Sequence, residues 1–187
     1  LGTGHVVRCL VLARAFHGRN IRPVFVIKDH EPRILALIEG RGYSVHVLPS
    51  TLAMEEDASA TQRLVADHRS TFLVTDMANP EYTADPARYI RYALALLKGI
   101  RAYTISLDDL FIAELPFDLR IIPYCGVEDK PPLSQGKTKW LLGPAYFIAQ
   151  ESFREAAVAA RVVARAARRI LVTMGGSDPY RLTAAVL

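Results

Sequence analysis

The opening stretch Gly2-Thr3-Gly4-His5-Val6-Val7-Arg8 gathers two glycines, a histidine and an arginine at the head of an apolar helical run, Cys9-Leu10-Val11-Leu12-Ala13-Arg14-Ala15-Phe16. The first turn of a helix has N–H groups without intrahelical partners and a partial positive charge, so this end suits an anion. Gly2 and Gly4 let the backbone take unusual dihedral angles and approach a ligand closely, as in other phosphate-binding strand-to-helix loops. His5 and Arg8 are three positions apart and share one helical face. An arginine here opposes the helix dipole unless a carboxylate or a ligand anion neutralises it, which marks the loop as a candidate anion site. The plain alternative is a steric lead-in with a solvated or capping histidine. The loop is not a Walker A motif, because the Lys-Ser/Thr pair is absent, and its spacing does not fit G-x-G-x-x-G.

The elements that must position such a loop alternate along the chain. Compact β-branched and aromatic runs at Pro23 to Ile27, Ser44 to Leu48, Thr71 to Thr75, Ala102 to Leu107 and Leu119 to Ile122 predict strands. Between them, Pro32 to Gly40, Ala60 to Arg69 and Ala87 to Lys98 predict helices. Short strands separated by helices imply βαβ units, a mainly parallel sheet and helices on both faces. Val127 to Lys139, with Pro131-Pro132 and Gly136, reads as a loop. A long helix from Gln150 to Arg168, a strand at Arg169 to Thr173 and a turn Gly175-Gly176-Ser177-Asp178-Pro179 then open a second unit, with Asp178 and Pro179 suited to the cap and first position of a helix from Tyr180. The expected organisation is a Rossmann-like domain over 1–145, lacking its first strand, and over 146–187 an interdomain helix with the incomplete start of a second domain.

Ligands of open parallel sheets bind beyond the carboxyl ends of the strands. That rule selects Asp76, the pair Asp108 and Asp109, and the turn Gly175 to Asp178, beside the opening loop. Capping or loop solvation is the competing role for each aspartate. Gly175-Gly176-Ser177 before a capped helix offers backbone N–H groups and a hydroxyl to a phosphate. Adjacent carboxylates on an extended chain point opposite ways, so Asp108 and Asp109 predict no shared metal ion. His17, His30, His46 and His68 show no common spacing, and no nucleophile elbow is present.

Composition narrows the classes. Half of the 187 residues are hydrophobic, yet no apolar run approaches the ~20 residues of a membrane span, which fits a soluble globular chain. The net charge of +4 is carried largely by Arg154, Arg161, Arg165, Arg168 and Arg169 without aromatic interleaving, which argues against nucleic acid and is compatible with a weak contact to an anionic membrane surface. Two cysteines, Cys9 and Cys125, form no zinc or disulfide framework and fit a reducing, cytoplasmic setting.

The opening Gly-Thr-Gly-His motif with Leu12-Ala13, the pair Asp108-Asp109, Gly143-Pro144-Ala145-Tyr146 before Glu151-Ser152-Phe153-Arg154, and Gly175-Gly176-Ser177-Asp178-Pro179 resemble the UDP-sugar hydrolase of the pseudaminic acid pathway and the related spore-coat polysaccharide biosynthesis glycosyltransferase-like proteins. The order and spacing match over nearly the whole chain. The resemblance implies a GT-B fold, two Rossmann-like domains facing across a cleft, and a monomeric enzyme that cleaves or transfers the sugar of a UDP-sugar without metal or other cofactor. It maps the catalytic histidine onto His5 and the nucleotide-binding turn onto Gly175, Gly176, Ser177 and Asp178. At Asp76-Met77-Ala78 the hydrolase's aromatic residue is missing, so the resemblance reaches the nucleotide-sugar enzymes as a class.

On that basis His5, kept neutral by the helix N-terminus, acts as general base toward water or an acceptor hydroxyl. Gly2, Thr3, Gly4 and Arg8 face the anionic part of the substrate, and Asp76, Asp108 and Asp109 complete the substrate contacts. Two other classes stand beside this one. A non-catalytic relative would bind nucleotide sugars without turnover, and a nicotinamide-dependent Rossmann enzyme would use Asp29 after the Val24 to Lys28 run, although the glycine spacing argues against it.

Overall fold

The computed structural model describes residues 3–28, 31–77, 85–109, 114–128, 136–158, 165–166, 168, 170–172 and 182–186. The chain divides into two compact units, one of Leu1–Pro23, Glu31–Ser44 and Ile148–Leu187, the other of Val24–His30 and Val45–Phe147.

The first unit is helical. Helix α1 spans Gly4–His17 and buries Leu10 and Ala13, while α2, Pro32–Glu39, starts with proline in its first turn and buries Ile34 and Ile38 one turn apart. Arg14 and His17 lie in the last turn of α1, where cations complement the dipole. His17 meets Tyr43 edge-on with ring centres 6.3 Å apart. Arg14 also pairs with Glu151 of α5, Glu151–Ala157, at 3.4 Å. Both side chains are well exposed, so this pair contributes little to stability.

The second unit contains the sheets. Strands β1, Val24–Lys28, and β2, Ser44–Leu48, form a two-stranded sheet. Strands β3, Phe72–Asp76, β4, Tyr103–Leu107, β5, Leu119–Ile122, and β6, Lys139–Leu142, form a four-stranded sheet in that order, parallel throughout. The chain is therefore an α/β protein with parallel sheets, in two sheets where one was expected. In a doubly wound sheet of order 3-2-1-4 the strand leading into the first helix lies between these two groups. No such strand is found among the described residues.

Helices α3, Met54–Asp67, and α4, Pro86–Leu97, pack against each other through Ala58, Tyr92 and Leu96, with Leu73 and Met77 alongside. The buried residues of α4, Tyr89, Tyr92, Ala93 and Leu96, recur at helical spacing. Asp85 caps α4 by accepting from the Arg88 N–H at 3.1 Å, and Gln62 of α3 donates to the carbonyls of Ala95, Leu96 and Lys98 at 2.8–3.0 Å. One side chain on α3 thus shares its two amide hydrogens among the carbonyls at the carboxyl end of α4.

Four expectations are corrected. Helix α3 begins at Met54 rather than Ala60, because Glu55, Glu56 and Asp57 favour the positive end of a helix and Glu56 accepts from the Ala53 N–H at 3.1 Å. Lys139 opens β6, which pairs with β5 where the long loop was expected to give way to a new unit. The helix expected over Gln150 to Arg168 ends at Ala157, and Arg165 and Ala166 are bends. Ile170, Leu171 and Val172, within the expected strand Arg169 to Thr173, are not in a strand, and Ile170 and Leu171 are exposed. A strand forms only against a partner, and none pairs with these residues among those described. The helix expected from Tyr180 is described as α6, Leu182–Val186.

Candidate functional site

In the helical unit the candidate residues lie inside α1. Thr3 occupies the cap position without a side-chain cap bond, and the first intrahelical bond runs from the Val7 N–H to the Thr3 carbonyl at 3.0 Å. Gly4, His5 and Val6 therefore supply the leading N–H groups. No acidic residue stands in this first turn. Gly4 does not show the unusual backbone expected of it: it has no positive φ, and a Cβ placed there would meet nothing within 4 Å. The fold itself gives no reason for glycine at this position. Gly2 lies outside the described residues.

His5 and Arg8 do come together. The Arg8 Nη2 lies 3.1 Å from the His5 Nδ1 across one helical turn. A guanidinium has no acceptor, so Arg8 donates and Nδ1 receives. The imidazole is then neutral with its proton on Nε2. Its basic nitrogen is then occupied by Arg8.

In the sheet unit, Asp76, Asp108 and Asp109 all stand at the carboxyl end of the four-stranded sheet. Asp76 is the last residue of β3, in register with Leu107, and is half-buried. Asp108 follows β4 with φ +53, and its N–H donates to the Ile121 carbonyl at 2.8 Å. This left-handed conformation is costly for residues with a Cβ, although Asp tolerates it better than most. Removing the side chain in two ways isolates that cost. Asp108→Ala is expected to be about 1 kcal/mol less stable than Asp108→Gly, a difference read from their denaturant midpoints.

The turn at Asp108 aims Asp109 back over the sheet. Its Oδ2 accepts from the Arg120 Nε at 2.6 Å and from the Ser106 Oγ at 2.9 Å, and its Oδ1 accepts from the Arg120 Nη2 at 2.7 Å. Arg120 is wholly buried, and its guanidinium carbon sits 4.3 Å from the centre of the Trp140 ring. Register explains the grouping: Thr75, Ser106, Arg120 and Trp140 are successive cross-strand partners of β3, β4, β5 and β6, so their side chains stand on one face. A two-pronged carboxylate–guanidinium pair with a stacked ring can offset the desolvation of both charges. The Asp109 carboxylate is therefore committed to holding the sheet edge.

Of the aromatic residues at this edge the sequence reading named only Tyr146, as part of the Gly143-Pro144-Ala145-Tyr146 motif. Tyr124 follows β5, and Tyr146 and Phe147 follow β6; all three are exposed. The available signal was their place just after apolar runs, the same rule that selected the aspartates. Gly175, Gly176, Ser177 and Asp178 lie outside the described residues. Among the described residues, no three of His, Cys, Asp and Glu converge as a metal-binding group, and no helix is long and apolar enough to cross a membrane.

No protein-family model, no curated protein and no solved structure matches the chain.

Proposed function

We propose that the chain belongs to a metal-independent nucleotide-sugar enzyme of GT-B type, a UDP-sugar hydrolase or glycosyltransferase of bacterial surface polysaccharide or nonulosonic acid synthesis, working in the cytoplasm. The observation that carries this reading is the pairing of Arg8 with the His5 Nδ1 in the opening turns of α1. A diphosphate at that helix end would draw the Arg8 guanidinium to itself, since an anion with several oxygens competes well against a neutral ring nitrogen. The Nδ1 lone pair is then released. In this way substrate binding creates the general base, and the positive charge of Arg8 moves to where the leaving group gains negative charge. Thr3, Gly4 and the leading N–H groups support the anion, with Gly2 and the turn Gly175 to Asp178 assigned to it through the resemblance. Asp76 and Asp108 are assigned to the substrate only through their place after β3 and β4, Asp108 itself being buried. Cys9 and Cys125 stand outside any disulfide, which accords with a reducing compartment.

Gly4 provides the test. With open space at its Cβ, Gly4→Ala leaves the fold intact and removes a helix-destabilising residue, a gain of up to about 1 kcal/mol. If a phosphate approaches the backbone there, the same methyl group obstructs it, so the affinity for UDP is expected to fall about tenfold while the melting temperature holds or rises. Unchanged UDP affinity would count against the anion site.

One observation favours a second reading. In the arrangement described, His5 offers a proton donor, which suits binding without catalysis. A non-catalytic nucleotide-sugar-binding protein would retain UDP-sugar affinity and release no UDP on prolonged incubation, which separates it from the enzyme.

A further inference from the structure

His46 and His68 are twenty-two residues apart in sequence, yet their Nε2 atoms face each other at 2.9 Å, with ring centres 5.1 Å apart and ring planes at 60°. Both positions are held by the backbone. His46 is the central residue of β2. His68 closes α3 through its N–H to the Leu64 carbonyl at 3.0 Å, and the chain is locked behind it by Arg69 at φ +49 and by the bonds Arg69 N–H to Ala66 O and Ser70 N–H to Val65 O, both 2.9 Å. Two imidazoles presented by a strand and a helix end, with their nitrogens converging at the edge of solvent, match the ligand type and spacing of a transition-metal site.

The distances allow a direct comparison. A tetrahedral zinc ion with Zn–N bonds of about 2.0–2.1 Å holds two histidine nitrogens about 3.3–3.4 Å apart and the corresponding ring centres about 5.2 Å apart. The ring centres already stand at 5.1 Å. Tilting the rings to open the nitrogens by about 0.4 Å would admit the ion without moving either backbone. No proton need be lost: the ring that carries its proton on Nε2 shifts it to Nδ1, and both Nε2 lone pairs then meet the metal. The groove beside His46 is also lined by Arg63 and Asp67, whose charges offset one another, so an entering dication meets no net positive charge from that pair.

We propose that His46 and His68 form a two-histidine clip for a transition-metal dication, zinc in the first instance, with water completing the coordination, and that the bound ion ties β2 to the end of α3. This site is separate from the sugar chemistry proposed above and stands or falls independently of it. Imidazole ligands favour Cu²⁺ over Zn²⁺ and neither favours Mg²⁺, so the order of affinity is expected to be copper, then zinc, with magnesium silent.

The test is calorimetric titration of the whole chain with zinc chloride at pH 7.5. His46→Asn and His68→Asn are each expected to weaken zinc binding about tenfold or more, because each removes one of two ligands. His17→Ala, at the His17–Tyr43 contact, is expected to leave it unchanged. Zinc binding by Cys9 or Cys125 would survive in both Asn variants and is thereby separated from the clip. Zinc-induced shifts of the His46 and His68 ring resonances in the unmutated protein give a second readout that needs no variant to fold. The proposal is overturned if both Asn variants bind zinc as tightly as the unmutated chain, or if millimolar zinc leaves those resonances in place.

Discussion

Arg120→Met is expected to lower the stability of the chain by about 3–5 kcal/mol, because it takes the two-pronged cation away from the buried Asp109 carboxylate. The methionine fills much of the same space beside Trp140, so the loss reports the stranded charge rather than a cavity. Asp109→Asn should cost a similar amount for the converse reason, since the fully buried guanidinium keeps its charge and loses its counter-ion. Lysine at position 120 would not rescue, having one nitrogen where the carboxylate needs two donors at fixed spacing. Combining Arg120→Met with Asp109→Leu removes both charges, and the double variant is expected to recover most of the loss, which places the pair in strongly non-additive coupling. Urea denaturation midpoints of the two single variants and the double variant decide the matter. Single variants within about 1 kcal/mol of the unmutated chain would mean that water reaches this face of the sheet and that the pair is not desolvated. Because Asp108 is held in its left-handed turn directly before Asp109, the same variants should also loosen the carboxyl edge that carries the proposed sugar contacts.

His5→Ala is expected to reduce UDP release from a UDP-sugar by about 10²- to 10⁴-fold with little change in UDP affinity, the usual loss when a general base is removed. The Arg8 contact sharpens this into a paired experiment. If Arg8 must leave the His5 Nδ1 and move to the diphosphate, Arg8→Ala exposes the base but withdraws the charge that stabilises the leaving group. It should therefore lower both turnover and UDP affinity, whereas His5→Ala lowers turnover alone. Arg8→Lys restores charge without the fork and is expected to recover affinity more than turnover. Full activity in His5→Ala would remove the histidine from catalysis, and equal turnover in both Arg8 variants and the unmutated protein would remove the exchange of partners.

The local elements were legible because their causes are local. Periodicity placed β2 and β5 at their observed bounds and α4 within a residue at each end, since Tyr89, Tyr92, Ala93 and Leu96 recur on one face and Pro86 can only begin a helix. The face shared by His5 and Arg8 followed from helical spacing alone. Where the reading failed, the deciding partner lay elsewhere. Lys139-Trp140-Leu141-Leu142 reads as strand only against β5, and the helix expected to run to Arg168 was drawn from alanine propensity, a small preference that the chain overrides beyond Ala157.

The sequence by itself determined the α/β class, the parallel character of the main sheet and the edge to which the three aspartates belong, because side-chain periodicity and strand-to-helix alternation are properties of neighbouring residues. Only the tertiary structure decided what those residues do there. Register across β3 to β6 commits Asp109 to Arg120, and the meeting of β2 with the end of α3 brings His46 and His68, which share no spacing in the sequence, face to face. Such pairings join residues eleven and twenty-two positions apart, and no local propensity encodes a contact whose two halves are brought together by the packing of the whole unit.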